Sequence, residues 1–432
     1  MKKAASFALG CKVNQYESEA IAELFAEKGY EIVGIDEEAD VYVINTCTVT
    51  NFGDKKSRQL IRKVKRQNEN AIVAVVGCYA QTAPKELMEI AGVNLVIGTK
   101  DRAQIVEMVE QYDRANGVEN HVSDIMKERV FEPLSIQKLA NRTRAYLKIQ
   151  DGCSQYCSYC IIPYARGPIR SREPQEVVAE VKRLAENGFK EVVLTGIHVA
   201  SYGKDRRDTS LPDILKQVHE VEGIERIRFS SIEPNVVTEE FAQTMAALPK
   251  VCDHFHLSLQ SGCDKTLKEM NRKYDTEKYR QAAAMLRKYL PKVALTTDII
   301  VGFPGETEED FRESYAFAEE IGFAKIHVFP YSPKRGTPAA ARKDQLLNAV
   351  KAERSHTLIQ LSDKMAADFL ADAVGTDAEG LYERAVGDGI YEGHTTNYMK
   401  VHGRSEVDLT NRICKTHITR AEGEMLFGDA EV

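Results

Sequence analysis

The 432-residue chain has no tryptophan and no run of about 18 uncharged apolar residues. The first absence leaves base stacking to the 18 tyrosines and 15 phenylalanines, and the second excludes a membrane-spanning helix. It also has no excess of positive charge, because 58 Lys and Arg stand against 65 Asp and Glu, a formal net charge of −7. Contact with a nucleic acid therefore requires a local basic patch.

The composition is that of an ordinary globular protein. Hydrophobic residues make up 43% and charged residues 28%, which excludes a collagen-like or wholly disordered chain. The length predicts about three domains of roughly 150 residues each. Nine cysteines, an odd number, favour metal binding or catalysis over a disulfide framework. The N-terminal apolar run of about six residues is shorter than a signal-peptide core, so we expect a β-strand there.

Residues 1–125 are predicted to form a doubly wound α/β domain. Apolar runs at 6–9, 41–44, 72–76 and 95–97 alternate with helical patterns, which is typical of a parallel sheet. Residues 126–142 are mostly polar and charged and are predicted to be a linker.

A second alternation of strands and helices fills residues 143–370. Its predicted strands are 145–149, 191–194, 226–229, 254–259, 294–300 and 325–329, followed by a long helix over 343–371. Six β/α units are too few for a closed eightfold barrel, so we predict a partial (β/α)6 barrel. In residues 371–432 glycines separate short apolar runs, which indicates a small antiparallel β-barrel.

The most specific motif is Cys153, Cys157 and Cys160, spaced C-x3-C-x2-C after the first strand of the predicted barrel. Three thiolates this close can hold one four-iron cluster and leave one iron free for a small bidentate ligand. The alternative is a zinc knuckle with a distant fourth ligand.

The surroundings of this loop resemble the radical S-adenosylmethionine superfamily, in which an aromatic residue such as Tyr159 precedes the third cysteine. Residues 195–198 are similar to the glycine-rich motif that the superfamily places after its second strand. Segments 230–234, 259–262 and 300–306 also end strands, where barrel active sites form, although each alone could be an ordinary turn. The resemblance implies catalytic roles for the three cysteines and S-adenosylmethionine contacts from Tyr159, Gly196, Ser231, Glu233, Gln260, Val301 and Gly302.

A second triad consists of Cys11, Cys47 and Cys78, each at the carboxyl end of a predicted strand. In a parallel sheet these ends share one edge, where ligands bind. Glycines before Cys11 and Cys78 would let the backbone turn closely around a bulky cluster. The alternative is three buried, inert cysteines.

Residues 9–15, 45–50 and 77–81 resemble the N-terminal domain of the methylthiotransferases. That family implies a second four-iron cluster on Cys11, Cys47 and Cys78 and a C-terminal RNA-binding TRAM domain, so the resemblance covers essentially the whole chain. Segments 12–14 and 47–50 resemble the branch that modifies threonylcarbamoyl-adenosine beside the tRNA anticodon. The branches that act on isopentenyl-adenosine or on a ribosomal-protein aspartate remain open, as does a non-catalytic RNA-binding protein with structural zinc.

The resemblance implies the following chemistry. The cluster on Cys153, Cys157 and Cys160 would cleave S-adenosylmethionine to a radical that removes the hydrogen from carbon 2 of the adenine. The second cluster would hold sulfur, and a second S-adenosylmethionine would give the methyl group. The implied cofactors are two 4Fe-4S clusters and S-adenosyl-L-methionine, and the implied partners are tRNA, an unidentified sulfur source and an electron donor such as flavodoxin or ferredoxin. Reactive clusters need a reducing compartment, which predicts a cytoplasmic protein.

Candidate RNA contacts come from basic residues near the two triads. Lys55, Arg58 and Arg62 lie on one side of a predicted helix after Cys47, and we expect phosphate contact there, although a solvated helix face is the alternative. Three further candidates for RNA or substrate contact follow the loop of Cys153, Cys157 and Cys160: Arg166, Arg170 and Arg172.

The C-terminal segment departs from the expected RNA-binding module. From residue 372 onward six Lys and Arg stand against twelve Asp and Glu, whereas such a module should be basic on at least one face. Three cysteines that fit neither triad are expected to be structural: Cys252, Cys263 and Cys414.

Overall fold

The computed structural model describes residues 1–136 and 143–431; the last six residues of the predicted linker lie outside the described residues. The N-terminal strands are β1 (Lys3–Ala8), β2 (Glu31–Ile32), β3 (Val41–Thr46), β4 (Ile72–Gly77), β5 (Leu95–Val96) and β6 (Glu119–Asn120). The accompanying helices are α1 (Lys12–Glu27), α2 (Asn51–Gln67), α3 (Cys78–Thr82), α4 (Pro84–Met88) and α5 (Ile105–Gln111). All neighbouring strands pair in parallel in the order β2-β1-β3-β4-β5-β6, so the predicted doubly wound domain is confirmed.

The strand order changes direction between β1 and β3. The chain passes from β1 to β2 on one side and then returns to place β3 on the other side of β1. In open α/β sheets ligands bind at such a point, outside the carboxyl ends of the strands. Cys11 follows β1, Cys47 follows β3 and Cys78 follows β4, and the register pairs Thr46 with Gly77, so the last two cysteines occupy equivalent positions on adjacent strands.

The central region contains β7 (Arg144–Asp151), β8 (Arg170–Ser171), β9 (Glu191–Gly196), β10 (Arg226–Phe229), β11 (His254–His256), β12 (Ala294–Val301) and β13 (Lys325–Pro330). Its helices are α6 (Ile162–Arg166), α7 (Pro174–Glu186), α8 (Leu211–His219), α9 (Glu239–Ala246), α10 (Asp264–Glu269), α11 (Thr276–Tyr289), α12 (Glu308–Ile321) and α13 (Asn348–Ala371). Strands β7, β9 and β10 form one parallel set and β11, β12 and β13 another, and isolated parallel bridges join β10 to the following segment. The result is the predicted partial barrel of six parallel strands.

One strand of this region was not predicted. The two-residue strand β8 pairs antiparallel with the end of β7, joining Gln150 to Ser171 and Asp151 to Arg170. It therefore returns the chain beside the cysteine loop that connects β7 to α6. Two residues are too few to give a periodic pattern, so the sequence carried no strand signal there.

Local sequence signals set many of the helix starts. Five α-helices begin after a residue whose side chain accepts a hydrogen bond from a backbone N–H of the first turn: Thr50, Ser210, Thr238, Asp275 and Thr307. Helix α1 turns Val13, Tyr16 and Ala20 inward, and Tyr16 and Ala20 belong to the same apolar core as the barrel strands. The N-terminal sheet and the barrel are therefore packed together through α1.

The C-terminal strands β14 (Asp377–Gly387), β15 (Ile390–Thr395), β16 (Lys400–Arg404), β17 (Ile413–Glu422) and β18 (Met425–Glu431) close into a barrel in the order β14-β15-β16-β18-β17. The expected small β-barrel is thus present, and its pairing is antiparallel except between β16 and β18. Gly403 is required by the packing, because a Cβ there would lie 2.1 Å from the hydroxyl oxygen of the buried Tyr382.

The turn between β15 and β16 fastens this small barrel to the partial barrel. The ring of Tyr398 stacks on His254 at 4.9 Å, and the Arg228 guanidinium lies 4.8 Å from the same ring. Arg228 also donates hydrogen bonds to the carbonyls of Thr395 and Thr396 at 2.6 and 2.7 Å. The turn therefore reaches into the partial barrel between the strands that carry His254 and Arg228.

Replacing Tyr398 with alanine is expected to loosen this attachment. The change removes ring contacts with two histidines and two arginines, which together contribute about 2–4 kcal/mol. Hydrogen–deuterium exchange should rise at residues 395–400 and in the first residues of β10. Tyr398→Phe keeps the ring and serves as the control; equal exchange in both variants and the wild type would show that the ring does not hold the two barrels together.

Candidate functional site

One cavity of about 1100 Å³ runs between the three parts of the chain. Residues 10–13 and Val49 of the N-terminal sheet border it, the inner faces of the barrel strands form its walls, and residues 397–400 of the C-terminal barrel border it as well. Cys11 of the N-terminal triad and all three cysteines of the barrel triad, Cys153, Cys157 and Cys160, line it. Pockets for one small molecule hold about 300–1000 Å³, so this cavity has room for more than one ligand.

The loop after β7 places the triad of Cys153, Cys157 and Cys160. Gly152 has φ +72°, and a Cβ there would lie 1.9 Å from the carbonyl oxygen of Pro168, so only glycine fits before Cys153. The backbone N–H of Cys153 donates to the carbonyl of Gly167, and that of Cys160 donates to the carbonyl of Cys157, both at 3.0 Å. The loop is therefore held in a fixed shape by its own backbone.

Burial makes the thiols of Cys153 and Cys160 reluctant to ionise. Burial and the neighbouring cysteines raise the pKa of Cys153 to about 11 and that of Cys160 to about 12, although the charge of Arg272 lowers both in part. Nη1 of Arg272 lies 3.2 Å from Sγ of Cys157. Metal ligation requires thiolates, so a positively charged iron centre is the partner that this donor set fits.

Glu233 faces the cavity beside this triad. Arg272 donates to its carboxylate at 2.9 Å, and Nε2 of His198 lies 3.3 Å from the same oxygen. Burial would raise the pKa of Glu233, but the hydrogen bond from His198 and the charge of Arg272 outweigh it and hold the pKa below its usual range. An ionised carboxylate, Ser231 and the edge of Gly196 thus share the cavity wall next to the cysteine loop.

A glycine is also packed closely against a cysteine of the N-terminal triad. Gly10 has φ +99°, and a Cβ there would lie 2.6 Å from Cβ and 2.7 Å from Sγ of Cys47. Burial raises the pKa of Cys47 to about 12, and the proximity of Cys78 and Cys11 raises it further. Nε of Arg166, a residue of the central region, lies 3.1 Å from Sγ of Cys78. Each triad therefore has a buried arginine directed at one of its sulfurs.

A buried network of charges surrounds Arg166. Glu17 contacts Arg166 at 2.5 Å, Arg102 at 2.6 Å and Lys148 at 2.8 Å. The network consists of three carboxylates, Glu17, Asp151 and Glu132, and four cations, Arg102, Lys148, Arg166 and Arg170. The cations of the network therefore exceed its carboxylates by one charge, and one of these cations, Arg166, contacts Cys78. Buried charges are paired, so this imbalance fits a metal-bound thiolate at Cys78.

The arrangement of donors does not favour zinc. Within residues 1–136 and 143–431, no three His, Cys, Asp or Glu side chains are close enough to share a single metal ion. A structural zinc site needs four ligands around one ion. A cuboidal cluster instead attaches each cysteine to a different iron, so it does not need three side chains around one ion.

The structure brings only some of the predicted S-adenosylmethionine contacts together. Tyr159, Gly196, Ser231 and Glu233 line the cavity, whereas Gln260, Val301 and Gly302 are absent from its lining. Val301 is buried, and Gly302 is turned toward α13, where a Cβ would lie 2.5 Å from the side chain of Lys351. Val301 ends β12 and Gly302 follows it, whereas β11 ends at His256 and Gln260 lies beyond it, in an isolated bridge to Ile299. The cavity lining includes none of the three.

Burial argues against RNA contact by the three arginines after the cysteine loop. Arg166, Arg170 and Arg172 are 0%, 2% and 3% exposed. Arg166 and Arg170 belong to the charge network, and Arg172 pairs with Glu180 at 2.6 Å. Their charges are therefore used inside the protein rather than offered to phosphate. Their position beside the triad was predicted, but their role was not.

Two functional contacts were missed from the sequence. Arg272, which touches Cys157 and Glu233, lies in a loop between α10 and α11 and far along the chain from both. His198 belongs to the predicted glycine-rich segment, but nothing in the sequence pairs it with Glu233. Only the closing of the barrel brings these side chains together. The remaining cysteines, Cys252, Cys263 and Cys414, are buried, and the cavity lining contains none of them.

Helix α2 presents the predicted basic face to solvent. Lys55 and Arg62 are exposed, and neither has an ion pair in the part of the chain that the structure describes. Arg58 is half-buried and donates to the Tyr79 hydroxyl at 2.9 Å. Next to them lies a groove of about 600 Å³, lined by Phe7, Leu9, Lys56, Gln59, Leu60, Arg62, Lys63 and Arg66. This groove combines apolar and cationic surface.

The C-terminal barrel offers less basic surface. Lys400 pairs with Glu392 at 2.8 Å, and Lys415 pairs with Asp377 at 2.7 Å. The same two carboxylates also contact His402 and His417. Its cations are thus largely neutralised within the barrel. None of the described helices has the length and apolar character needed to cross a membrane.

Two family models match the chain. The model described as the radical SAM superfamily matches residues 147–318, which contain Cys153, Cys157 and Cys160. The model described as the uncharacterized protein family UPF0004 matches residues 3–98, which contain the other triad.

Curated relatives match over nearly the whole length. The threonylcarbamoyladenosine tRNA methylthiotransferase MtaB of Bacillus subtilis is 46% identical over 98% of this chain and 94% of its own. The protein of the same name from Aquifex aeolicus is 39% identical over 88% of this chain and 92% of its own. The tRNA-2-methylthio-N(6)-dimethylallyladenosine synthase of Moorella thermoacetica is 35% identical over 97% of this chain and 96% of its own.

Solved structures share the fold at low sequence identity. The radical S-adenosylmethionine methyltransferase TsrM from Kitasatospora setae has a TM-score of 0.58 and 17% identity, covering 79% of this chain and 77% of its own. Its complex with tryptophan and a cofactor analogue gives a TM-score of 0.56 and 16% identity, over 90% of this chain and 79% of its own.

Proposed function

The chain belongs to the radical S-adenosylmethionine methylthiotransferases, and we propose that its substrate is a tRNA adenosine that carries a threonylcarbamoyl group next to the anticodon. The proposed product carries a methylthio group in place of the hydrogen on carbon 2 of the adenine. The name of the relative at 46% identity supports this substrate over the isopentenyl form, whose relatives are 35% and 38% identical.

The observation that carries the proposal is that one cavity is bordered by a cysteine of the N-terminal triad and by the whole barrel triad. Cys11 approaches it from the N-terminal sheet, and Cys153, Cys157 and Cys160 approach it from the barrel. A methylthio transfer must remove hydrogen and deliver sulfur at the same carbon atom. A base held between the two triads would meet both requirements without moving.

When bound, one 4Fe-4S cluster and S-adenosylmethionine would supply hydrogen abstraction, and a second 4Fe-4S cluster on Cys11, Cys47 and Cys78 would hold the sulfur, to which a second S-adenosylmethionine would give the methyl group. Glu233 is placed to accept hydrogen bonds from the amino group of S-adenosylmethionine, and Gly196 lines the same cavity. Arg272 and Arg166 would stabilise the thiolates of Cys157 and Cys78. Charge-assisted hydrogen bonds to ligand sulfurs also tune the potential of a cluster.

We propose that the exposed cations of α2, with Lys55 and Arg62 among them, contact the tRNA phosphates. The position of α2 directly after Cys47, and the lack of acidic partners of Lys55 and Arg62 among the described residues, support this. An external electron donor such as flavodoxin or ferredoxin would complete the reaction, in a reducing compartment such as the cytoplasm.

The experiment is a nucleoside analysis of two tRNAs treated with the reconstituted enzyme, reductant and S-adenosylmethionine. One tRNA carries threonylcarbamoyl-adenosine and the other carries isopentenyl-adenosine. We expect the 2-methylthio nucleoside from the first tRNA only. Product from the second tRNA alone would assign the chain to the other branch, and no product from either would contradict a tRNA substrate.

A further inference from the structure

The cavity continues beyond the cysteines into a polar interior that the cluster chemistry does not use. His256 of β11 and His327 of β13 stack with ring centroids 5.9 Å apart. Between these strands, the Thr296 hydroxyl lies 3.0 Å from Nδ1 of His256, and a carboxylate oxygen of Asp298 lies 3.4 Å from its Nε2. All four side chains line the cavity. Barrel interiors are normally filled with branched apolar residues, so this composition indicates a binding surface.

Lys12 reaches the same space from the N-terminal sheet. Five of the six lysine and arginine side chains that line the cavity have a carboxylate partner: Arg144, Arg228, Arg272, Lys325 and Lys400. Lys12 has no such partner in the two described segments, and its ammonium group lies 5.8 Å from the ring centroid of Tyr146. An ammonium group without an anion at a cavity wall marks a position where an anion is bound favourably.

Lys12 and the histidines are near enough to influence one another. Burial is the main cause that lowers the pKa of His327, and the charge of Lys12 lowers it further. The same two effects act on His254. His327 has no hydrogen-bond partner within the described part of the chain, so its ring nitrogens are available to a ligand. Lys12 thus offers a cation to the cavity, and His327 offers an imidazole that has no hydrogen bond to another described residue.

We infer that Lys12 and His327 form an anion subsite that binds the carboxylate of the threonyl group, with Asp298 accepting a hydrogen bond from the threonyl hydroxyl. The inference rests on the proposed function, and it identifies the part of the substrate that the barrel recognises. The threonylcarbamoyl group ends in a carboxylate and a hydroxyl, which match a cation and an acceptor. An isopentenyl group has neither, and it would leave Lys12 and His327 desolvated without a partner.

This subsite also fits the position of the chemistry. Lys12 directly follows Cys11, so a group held by Lys12 lies beside the N-terminal triad. In adenine, carbon 2 and the carbon that bears the modified amino group flank the same ring nitrogen. Binding the side group at Lys12 therefore keeps carbon 2 in the space between the two triads.

The test pairs a protein change with a substrate change. Lys12→Gln removes the charge at similar length, and an anticodon stem-loop whose threonyl carboxylate is converted to a methyl ester removes the matching anion. For the wild-type holoenzyme we expect kcat/KM to fall about 10- to 100-fold on esterification, and Lys12→Gln should cause a similar fall with the free acid. With the ester, Lys12→Gln should equal the wild type, because the partner is already missing. Lys12→Arg should retain most of the activity.

Two controls separate this inference from the proposed function. Iron content and S-adenosylmethionine cleavage without RNA should be the same in Lys12→Gln and the wild type. If the wild type does not modify the free-acid stem-loop at all, the proposed function fails. If the wild type modifies it but Lys12→Gln loses the same factor on acid and ester, Lys12 does not bind the carboxylate and the subsite is contradicted.

Discussion

Replacing Arg166 with methionine is expected to remove the cluster on the N-terminal triad and leave the one on Cys153, Cys157 and Cys160 in place. Arg166 joins Cys78 to Glu17, donating to the sulfur at 3.1 Å and to the carboxylate at 2.5 and 3.0 Å. Methionine has a similar length but no charge, so the thiolate of Cys78 would lose its donor. Removing one partner of a buried ion pair costs about 3–5 kcal/mol, so we also expect a lower free energy of unfolding.

Arg170→Met is the matched control for this prediction. Arg170 is equally buried and contacts Asp151 at 3.5 Å in the same charge network, but no contact joins it to a cysteine in the described residues. Both variants should lose stability in urea unfolding, whereas only Arg166→Met should lose about half of the iron after reconstitution. Full iron content in Arg166→Met, or the same iron loss in both variants, would contradict a specific role at Cys78.

Replacing Gly10 with alanine is expected to abolish methylthio product while leaving the barrel intact. The new Cβ would lie 2.6 Å from Cβ and 2.7 Å from Sγ of Cys47, closer than any real contact allows. Because the clash includes Cβ of Cys47 and not only the end of its side chain, Cys47 would have to move away from its two partner cysteines. Iron content should fall by about half, and cleavage of S-adenosylmethionine at the other triad should continue.

Gly29→Ala separates this clash from simple backbone strain. Gly29 also has a positive φ, +82° against +99° at Gly10, but a Cβ there would meet nothing within 4 Å. Both variants carry the cost of a left-handed alanine, about 1–2 kcal/mol. Only Gly10→Ala should lose iron and product. Equal losses in the two variants would show that strain, and not the position of Cys47, causes the defect.

The sequence was most informative where a strand pattern ended in a chemically specific residue. Both cysteine triads were predicted from such positions, and the confirmed parallel order of β1, β3 and β4 explains why Cys11, Cys47 and Cys78 share one sheet edge. The radical barrel and the small C-terminal barrel were also predicted. The two-residue strands β2, β6 and β8 were not, because they are too short to give a period and lack the apolar run that marked β5.

The sequence was least informative where charged side chains act across the fold. Arg166 and Arg170 were predicted as candidates for RNA or substrate contact, yet both are buried and form ion pairs with Glu17 and Asp151. Arg272 had no signal at all, since its contacts come from strands far along the chain. The proposed domain boundaries near residues 125, 143 and 370 and the individual site residues stay predictions.

The central claim is that two four-iron clusters face one cavity, and the most direct test is the iron and sulfide content of anaerobically reconstituted protein. The wild type is compared with a variant in which Cys153, Cys157 and Cys160 are all alanine. We expect about eight irons per chain in the wild type and about four in the variant, held by Cys11, Cys47 and Cys78. About four irons falling to none would leave the N-terminal triad without a cluster and would contradict the account.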